Sequence, residues 1–223
     1  MHGNEGMQRE IGMLKLYYAP STCALASHIA LEEAGATYET VRLSFKTEDQ
    51  KKPDYLKINP KARVPSLVTD RGIITETPAI LIYIAQSFPA AKLAPLDDPY
   101  ALGRVQAFNS YLCSTVHVAH AHRVRGYRWT DDAAAIETMK QKVPQTVGDC
   151  FALIEREMFA GPWVMGKDYS VCDAYLFTLS QWLAADGVDI GKTPKIAEHF
   201  RRVAERPAVR KAVADETQLQ SAA

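Results

Sequence analysis

Residues 14–28 have the sequence LKLYYAPSTCALASH, and this segment carries the first signals of the fold. Its first five residues, Leu14 to Tyr18, form a short apolar run that is typical of a buried strand. Pro20 ends this strand because proline cannot donate to a sheet ladder. Ser21 and Thr22 then offer side-chain oxygens that are suited to cap a helix. The pattern predicts a strand that is followed directly by a helix.

Cys23 is the chemically notable residue of this stretch. Apolar residues recur at helical spacing from Leu25 to Ala34, and Gly35 stands where a helix commonly ends. Cys23 would therefore lie in the first turn, where free backbone N–H groups and a partial positive charge favour an anion. That anion would be the thiolate of Cys23, with a lowered pKa, or the thiolate of a bound ligand. The alternative is that Cys23 is a small buried residue that packs the helix.

Composition and charge are those of an ordinary soluble globular protein. The 223 residues suffice for one large domain or two small ones, and 47% of them are hydrophobic. Lys plus Arg and Asp plus Glu number 26 each, so the net charge of zero argues against nucleic-acid binding. No apolar run reaches about 18 residues, so we expect no membrane-spanning helix.

The ends of the chain and its cysteines point to the cytoplasm. Residues 1–12 are polar, contain glycine and lack the apolar segment of a secretory signal, so we expect a disordered leader. Met7 and Met13 are alternative starts. The four cysteines are far apart in sequence, which suits free thiols in a reducing compartment.

Three motifs extend the pattern into a sheet. Residues 37–43 alternate and are rich in β-branched and aromatic side chains, which predicts a strand parallel to the first one. The pair Val64-Pro65 precedes an apolar run, and base rates alone favour a trans bond there. A cis bond would turn the backbone of Val64 outward, towards a peptide-like ligand. The turn signal at residues 70–72, DRG, predicts an antiparallel hairpin.

A second helix begins at Glu76-Thr77-Pro78. Thr77 is a good cap and Pro78 is a good first helical residue. A carboxylate and a hydroxyl therefore stand at a helix N-terminus, where anions commonly bind. Simple capping without a ligand is the alternative.

These motifs, in this order, resemble the thioredoxin-like domain of the glutathione S-transferases. The segment from Tyr18 to His28 is similar to the N-terminal signature of the bacterial beta class, which carries cysteine at this place. The resemblance implies an α/β thioredoxin-like domain with a mixed four-stranded sheet at residues 13–88, a linker at 89–99 and an all-α domain at 100–223. It further implies a cis bond at Val64-Pro65 and a hydrophobic co-substrate site between the two domains.

The resemblance also assigns roles to particular residues. The catalytic residues at the sulfur of glutathione would be Cys23, His117 and Thr22. Glutathione would be bound by Val64, Pro65, Glu76, Thr77 and Ser110. The hydrophobic co-substrate would lie against Tyr111. The chain departs from the beta class at two places, since Val118 replaces the lysine after the histidine and Ser110 replaces an asparagine, with Asn109 adjacent.

Two groups on the helical segment after residue 100 carry further interpretations. His117 and His120 share a helix face, but no Cys or carboxylate is nearby in sequence, so we expect no metal. A basic and aromatic group follows, with Arg123, Arg125, Tyr127, Arg128 and Trp129. It would either close over an acidic or aromatic substrate or form a solvated helix end, and we prefer the second interpretation.

Ser170 and Asp173 form a capping box pattern with acid in place of the usual Glu or Gln, and this predicts a buried helix start with a structural role.

The resemblance therefore implies an enzyme, a cytoplasmic and homodimeric glutathione S-transferase of the detoxifying kind. It would conjugate the thiolate of glutathione to hydrophobic electrophiles, with no cofactor beyond glutathione as co-substrate and no nucleic-acid or membrane partner. The alternatives on the same fold are a one-cysteine thiol–disulfide oxidoreductase or dehalogenase, a maleylacetoacetate-type isomerase, and a non-catalytic binding scaffold. The oxidoreductase would need a one-cysteine mechanism because Ala26 stands where a Cys-x-x-Cys motif has its second cysteine. The identity of the electrophile does not follow from the sequence.

Overall fold

A computed structural model describes residues 12–218 of the chain. The predicted leader therefore falls, apart from Gly12, outside the described residues. The first part of the structure contains a four-stranded sheet, with β1 (Leu14–Tyr18), β2 (Tyr38–Arg42), β3 (Ser66–Thr69) and β4 (Gly72–Thr75) in the order β2-β1-β3-β4. β1 runs parallel to β2 and antiparallel to β3, and β4 closes the sheet antiparallel to β3. The prediction of a mixed four-stranded sheet is confirmed.

Three helices accompany the sheet, namely α1 (Ala24–Glu33), α2 (Pro53–Ile58) and α3 (Thr77–Ser87). The central strand β1 buries Leu14, Leu16 and Tyr18 on one face, as its alternating pattern requires. Leu16 stands opposite Leu67 of β3 in the sheet register. The hydrophobic core of this part therefore includes the buried face of β1.

Two helix starts differ from the prediction by one residue. Cys23 occupies the N-cap of α1 rather than its first turn, and its backbone carbonyl accepts from Ala26 N–H at 3.2 Å. Glu76, with a positive φ of 72°, is the N-cap of α3, so Thr77 is the first helical residue. Cap positions depend on backbone angles that residue types do not determine. The Val64–Pro65 bond is cis, as the resemblance implied.

The remainder of the described chain is helical, with turns and one isolated bridge between Trp163 and Gly166. The helices are α4 (Pro99–Tyr111), α5 (His117–Arg125), α6 (Ala133–Leu153), α7 (Val171–Ser180), α8 (Pro194–Ala204) and α9 (Pro207–Gln218). A π-helical turn, Leu112–Val116, joins α4 to α5. Within residues 12–218, no helix combines the length and the apolar character that a bilayer crossing requires.

α1 joins the two parts of the molecule. Every residue from Ala24 to Leu31 is buried, because the helix packs on β1 and α3 and also on α7 and α9. Leu25 and Ile29 lie in a cluster with Phe177 and Val203 of the helical part. The N-terminus of α1, where Cys23 lies, is therefore held by both parts.

Candidate functional site

A cleft with two lobes opens at the N-terminus of α1. Both lobes are lined by the same five residues, Cys23, Arg63, Val64, His117 and Arg128. The first, which we call the α3 lobe, has a volume of about 300 Å³ and is also lined by Pro65, Glu76, Thr77, Pro78, Cys113 and Tyr175, among others. The second, the Trp182 lobe, has about 310 Å³ and is also lined by Thr22, Phe45, His120, Arg125, Tyr127 and Trp182, among others.

Cys23 lies where the two lobes meet and is 8% exposed. Its Sγ donates to the carbonyl oxygen of Val64 at 3.6 Å. Burial raises the pKa of the Cys23 thiol, and this effect outweighs the lowering by the Thr77 side chain and by the charge of Arg125. Of the interpretations that the sequence left open, a Cys23 thiolate with a lowered pKa is therefore wrong, because desolvation disfavours the thiolate. Cys23 is a neutral S–H donor. The N–H groups of Ala24, Leu25 and Ala26 are bonded within the helix start, so the N-terminus of α1 offers another anion mainly its partial positive charge.

Thr22 supports the loop in front of α1. Its hydroxyl donates to the carbonyl of Ala19 at 2.7 Å and accepts from Ala24 N–H at 3.3 Å. Both functions of the hydroxyl are thus used within the loop, although Thr22 also lines the Trp182 lobe.

His117 is the first residue of α5 and follows the π-helical turn. Burial lowers its pKa to about 4, with smaller contributions from His120 and from the charges of Arg125, Arg128 and Arg63. At neutral pH the imidazole is uncharged, so His117, which lines both lobes, has one N–H donor and one acceptor nitrogen. π-helical turns occur frequently at functional sites, but nothing in the residue pattern predicted this one.

A buried network behind His117 was not predicted. The ring of His120 stacks on Trp182, with centroids 4.2 Å apart, and its Nδ1 lies 2.7 Å from the carboxylate of Asp186. Asp186 also accepts from Nε of Arg123 at 2.9 Å. Trp182 Nε1 donates to the carbonyl of Ser21 at 3.2 Å and so ties the helical part to the loop before Cys23. The residues that contact one another in this network are more than 60 positions apart in sequence, so no local signal could have revealed it.

The opposite wall of the cleft is made by the loop before β3 and by the start of α3. Tyr55 Oη and Asn59 Nδ2 both donate to the carbonyl of Arg63, at 2.6 and 2.8 Å. Glu76 forms an ion pair with Lys61, whose Nζ also donates to Thr75 Oγ1 at 2.7 Å. Thr77 is 4% exposed. This wall therefore presents a carboxylate and a hydroxyl at a helix N-terminus.

Two predicted site residues lie elsewhere. Ser110 is exposed on α4, and neither it nor Tyr111 lines either lobe. The Tyr111 hydroxyl pairs with Cys150 on α6, and burial raises its pKa. The neighbouring Asn109 is fully buried, and its side-chain amide has no hydrogen-bond partner among the described residues. The π-helical turn after Tyr111 changes which faces of α4 and α5 align, so positions counted back from His117 do not stay on its face.

One cluster of the described residues has the donor types of a metal site. His28, Glu32 and Asp215 bring ligand atoms within 4.8 Å of one another, but they line neither lobe. The ammonium group of Lys211 pairs with both carboxylates. The position between these carboxylates is therefore already taken by a cation of the chain itself.

Comparison with known proteins adds to this geometry. The family model described as glutathione S-transferase, N-terminal domain, matches residues 12–86. Glutathione S-transferase GstA of Escherichia coli O157:H7 is 32% identical over 206 residues, which are 91% of this chain and 98% of that protein. A glutathione transferase homologue from Sulfitobacter, solved with bound glutathione, is 44% identical with a TM-score of 0.88 and covers 92% of this chain and 98% of its own. A bacterial beta class glutathione S-transferase from Sphingomonas chungbukensis is 33% identical with a TM-score of 0.79, over 91% of this chain and 98% of its own.

Proposed function

The chain belongs to the glutathione S-transferase family, and we propose that its two-lobed cleft holds glutathione against Cys23 and His117 while the sulfur attacks a hydrophobic electrophile. The observation that carries this proposal is the convergence of Cys23, Val64, Thr77 and His117 on one cleft. These residues come from four separate segments of the chain. Each offers a group that suits one part of a γ-glutamyl tripeptide.

The γ-glutamyl end of glutathione fits the α3 lobe. Its α-carboxylate would accept from the Thr77 hydroxyl and from the free N–H groups at the start of α3. Its ammonium group would pair with Glu76, which Lys61 holds in place. The cysteinyl part would pair with the backbone of Val64, and this places its sulfur near Cys23 and His117.

The proposed chemistry needs a thiolate at that point. The thiol of glutathione loses its proton to solvent, and the N-terminus of α1 together with Cys23 S–H and His117 N–H stabilises the remaining charge. The thiolate attacks an electrophilic carbon. A carbon–sulfur bond forms, and the leaving group departs with the electron pair of its own bond. Neutral donors suit this role because they do not compete with the sulfur for a proton.

Calorimetric titration of the reduced full chain with reduced glutathione tests the binding step. We expect one glutathione per chain in the micromolar to low millimolar range. Glu76→Gln should weaken binding about tenfold, because one charge-assisted hydrogen bond is lost. The control is Glu157→Gln, which should leave glutathione binding unchanged because Glu157 is exposed and lines neither lobe. Absence of heat at two temperatures would contradict the proposal and favour a binding scaffold.

Replacing Cys23 separates conjugation from the oxidoreductase alternative. That alternative has one observation in its favour, since Cys113 lines the same lobe as Cys23. Because Cys23 is a neutral S–H donor, Cys23→Ala should lower kcat/KM for conjugation by only about 2- to 10-fold, the worth of one hydrogen bond. A nucleophilic Cys23 that forms a mixed disulfide predicts complete loss instead. Cys172→Ala, at a buried cysteine of α7, is the matched control.

We also propose how the protein assembles and in which compartment it acts. The family resemblance supports a homodimer with a detoxifying role in the cytoplasm, and neutral net charge supports the absence of a nucleic-acid partner. Light scattering should give a mass of about twice the 24.7 kDa of one chain. A mass of one chain at micromolar concentration would refute the dimer without affecting the binding proposal.

A further inference from the structure

Three arginines converge on the cleft from two directions. Arg63 comes from the loop before β3, whereas Arg125 and Arg128 come from the end of α5 and the turn after it. All three line the Trp182 lobe together with His117, and their charges lower the pKa of His117. The interpretation of this segment as a solvated helix end is therefore incomplete. It holds for neither Arg125, which is half-buried in the Trp182 lobe, nor Arg123, which pairs with Asp186.

The other charges around the cleft do not neutralise these guanidinium groups. Glu48 pairs with Lys51 and Glu76 pairs with Lys61. Among residues 12–218, neither Arg63 nor Arg125 nor Arg128 forms an ion pair. The Trp182 lobe thus carries a net positive charge beside the position proposed for the sulfur.

Arg125 is the least solvated of the three charges. Its pKa is lowered by burial first and then by the repulsion of Arg128 and Arg63. A half-buried cation without a partner is costly. Arg125 lines only the Trp182 lobe, whereas Arg63 and Arg128 line both lobes. An anion in the Trp182 lobe would relieve this cost most directly at Arg125.

We propose that the electrophile of this transferase carries an anionic group, a carboxylate or a group of similar charge, which Arg125 binds while the aromatic rings of the Trp182 lobe hold the apolar body. The proposal rests on the glutathione transferase function proposed above. The aromatic residues in question are Phe45, Tyr127 and Trp182. Tyr127 is 61% exposed and Phe45 is 38% exposed, so both offer apolar surface to a ligand.

Glutathione alone does not account for three guanidinium groups. Its γ-glutamyl carboxylate belongs to the start of α3, and its glycyl carboxylate needs one cation. Arg63 and Arg128, which line both lobes, are placed to serve it. Arg125 then remains for a second anion, and a guanidinium group is well suited to bind a carboxylate through two parallel hydrogen bonds.

A matched pair of electrophiles tests the proposal. We would use 4-chloro-3-nitrobenzoate and its methyl ester, which differ by one negative charge. In both, the glutathione thiolate forms a bond to the ring carbon and chloride leaves with the electron pair. The measurement is kcat/KM for each, relative to the uncatalysed rate, in the wild-type chain and in Arg125→Gln. Arg210→Gln, which removes an exposed charge on α9, is the control.

Arg125→Gln should lower kcat/KM for the benzoate about 10- to 100-fold, the loss of one or more charge-assisted hydrogen bonds. The ester should change less than about 3-fold, and Arg210→Gln should change neither. An equal loss for both electrophiles would overturn the proposal, because Arg125 would then serve glutathione or its thiolate. No change for either electrophile would overturn it as well.

Binding measurements keep the two proposals distinguishable. Calorimetry with glutathione shows whether each variant still binds the co-substrate. Absence of glutathione binding by the wild-type chain would refute the transferase function and this proposal with it. A wild-type chain that binds glutathione while Arg125→Gln shows no charge preference would refute this proposal alone. The product conjugates of the two electrophiles give the same comparison without turnover. Arg125→Gln should weaken the carboxylate conjugate 10- to 100-fold relative to the ester conjugate. Arg125→Lys, which keeps the positive charge but loses the paired donors of a guanidinium group, provides a second variant if Arg125→Gln folds poorly, and it should show the same preference with a smaller ratio.

Discussion

At the scale of single residues, the cleft places two neutral side chains, Cys23 and His117, beside positively charged arginines. Burial raises the pKa of Cys23 and lowers that of His117, so both are uncharged at neutral pH. The positive charge comes from arginines, which stay protonated. In the proposed mechanism, a thiolate between these groups would accept their hydrogen bonds and be stabilised by the positive charge of the arginines.

The neutral state of His117 predicts a pH dependence of stability. Because the folded-state pKa of about 4 lies below the ordinary value of 6.5, its contribution is fully present above pH 6.5 and is lost as the pH falls towards 4. At pH 5 the free energy of unfolding is therefore lower by about 2 kcal/mol than at pH 7 because of His117 alone. Urea unfolding of the wild type and of His117→Asn at pH 7 and pH 5 measures it. The variant should lose about 2 kcal/mol less between these values, and His122→Asn should behave as the wild type. Equal losses in all three would show that His117 does not titrate in this way.

At the scale of elements, one carboxylate organises the start of α7. The carboxylate of Asp173 accepts from the backbone N–H groups of Ser170 and Val164 at 2.7 and 2.8 Å. It also lies 2.9 Å from Nε2 of His199 on α8. Ser170 completes the capping box by accepting from Cys172 N–H at 3.3 Å. The cap thereby joins three segments.

Asp173→Ala should therefore cost far more than an ordinary cap. It leaves buried N–H donors without an acceptor, and we expect a loss of about 3–5 kcal/mol in the free energy of unfolding. The matched control is Asp132→Ala, because Asp132 caps α6 at an exposed position by accepting from Ala134 N–H. Its loss should be about 1 kcal/mol. Denaturant unfolding measures both, and similar losses would mean that the extra partners of Asp173 contribute nothing.

At the scale of the whole molecule, charged pairs support the apolar contact between α1 and the last helices. Arg206, just before α9, donates through Nε and Nη2 to the carboxylate of Glu33 at the end of α1, with 2.6 Å between Nη2 and Oε2. Its guanidinium group also lies 3.9 Å from the centroid of the Tyr169 ring. The side chain of Glu33 is largely buried, so this pair is well shielded from solvent.

Arg206→Gln should weaken the joint between the two parts. Loss of the paired hydrogen bonds and of the cation–π contact should lower the free energy of unfolding by about 2 kcal/mol. Arg156→Gln is the control, since the Arg156–Glu157 pair is exposed and should contribute less than about 0.5 kcal/mol. Thermal and urea unfolding would measure both. A change no larger than that of the control would show that the pair does not stabilise the joint.

Much of the fold was predictable because its signals are local. The strand Leu14–Tyr18 ended where its apolar run ended, and Gly35 has the positive φ that follows a helix end. Local spacing also located the hairpin and the capping box. The caps at Cys23 and Glu76 were displaced by one residue, since they depend on backbone angles that neighbours in space help to set.

Residue patterns alone were enough to predict the order of strands and helices along the chain and the family, since both depend on short-range spacing or on motifs within one segment. The assignment of Cys23 and His117 to the thiol position stays a prediction. Three-dimensional packing was needed to show that Cys23 and His117 are neutral and that Ser110 and Tyr111 do not line the cleft. It was also needed to show that Arg63 and Arg125 line the same lobe. Burial and electrostatic repulsion depend on distances between segments far apart in the chain. Such distances exist only once the helices have packed.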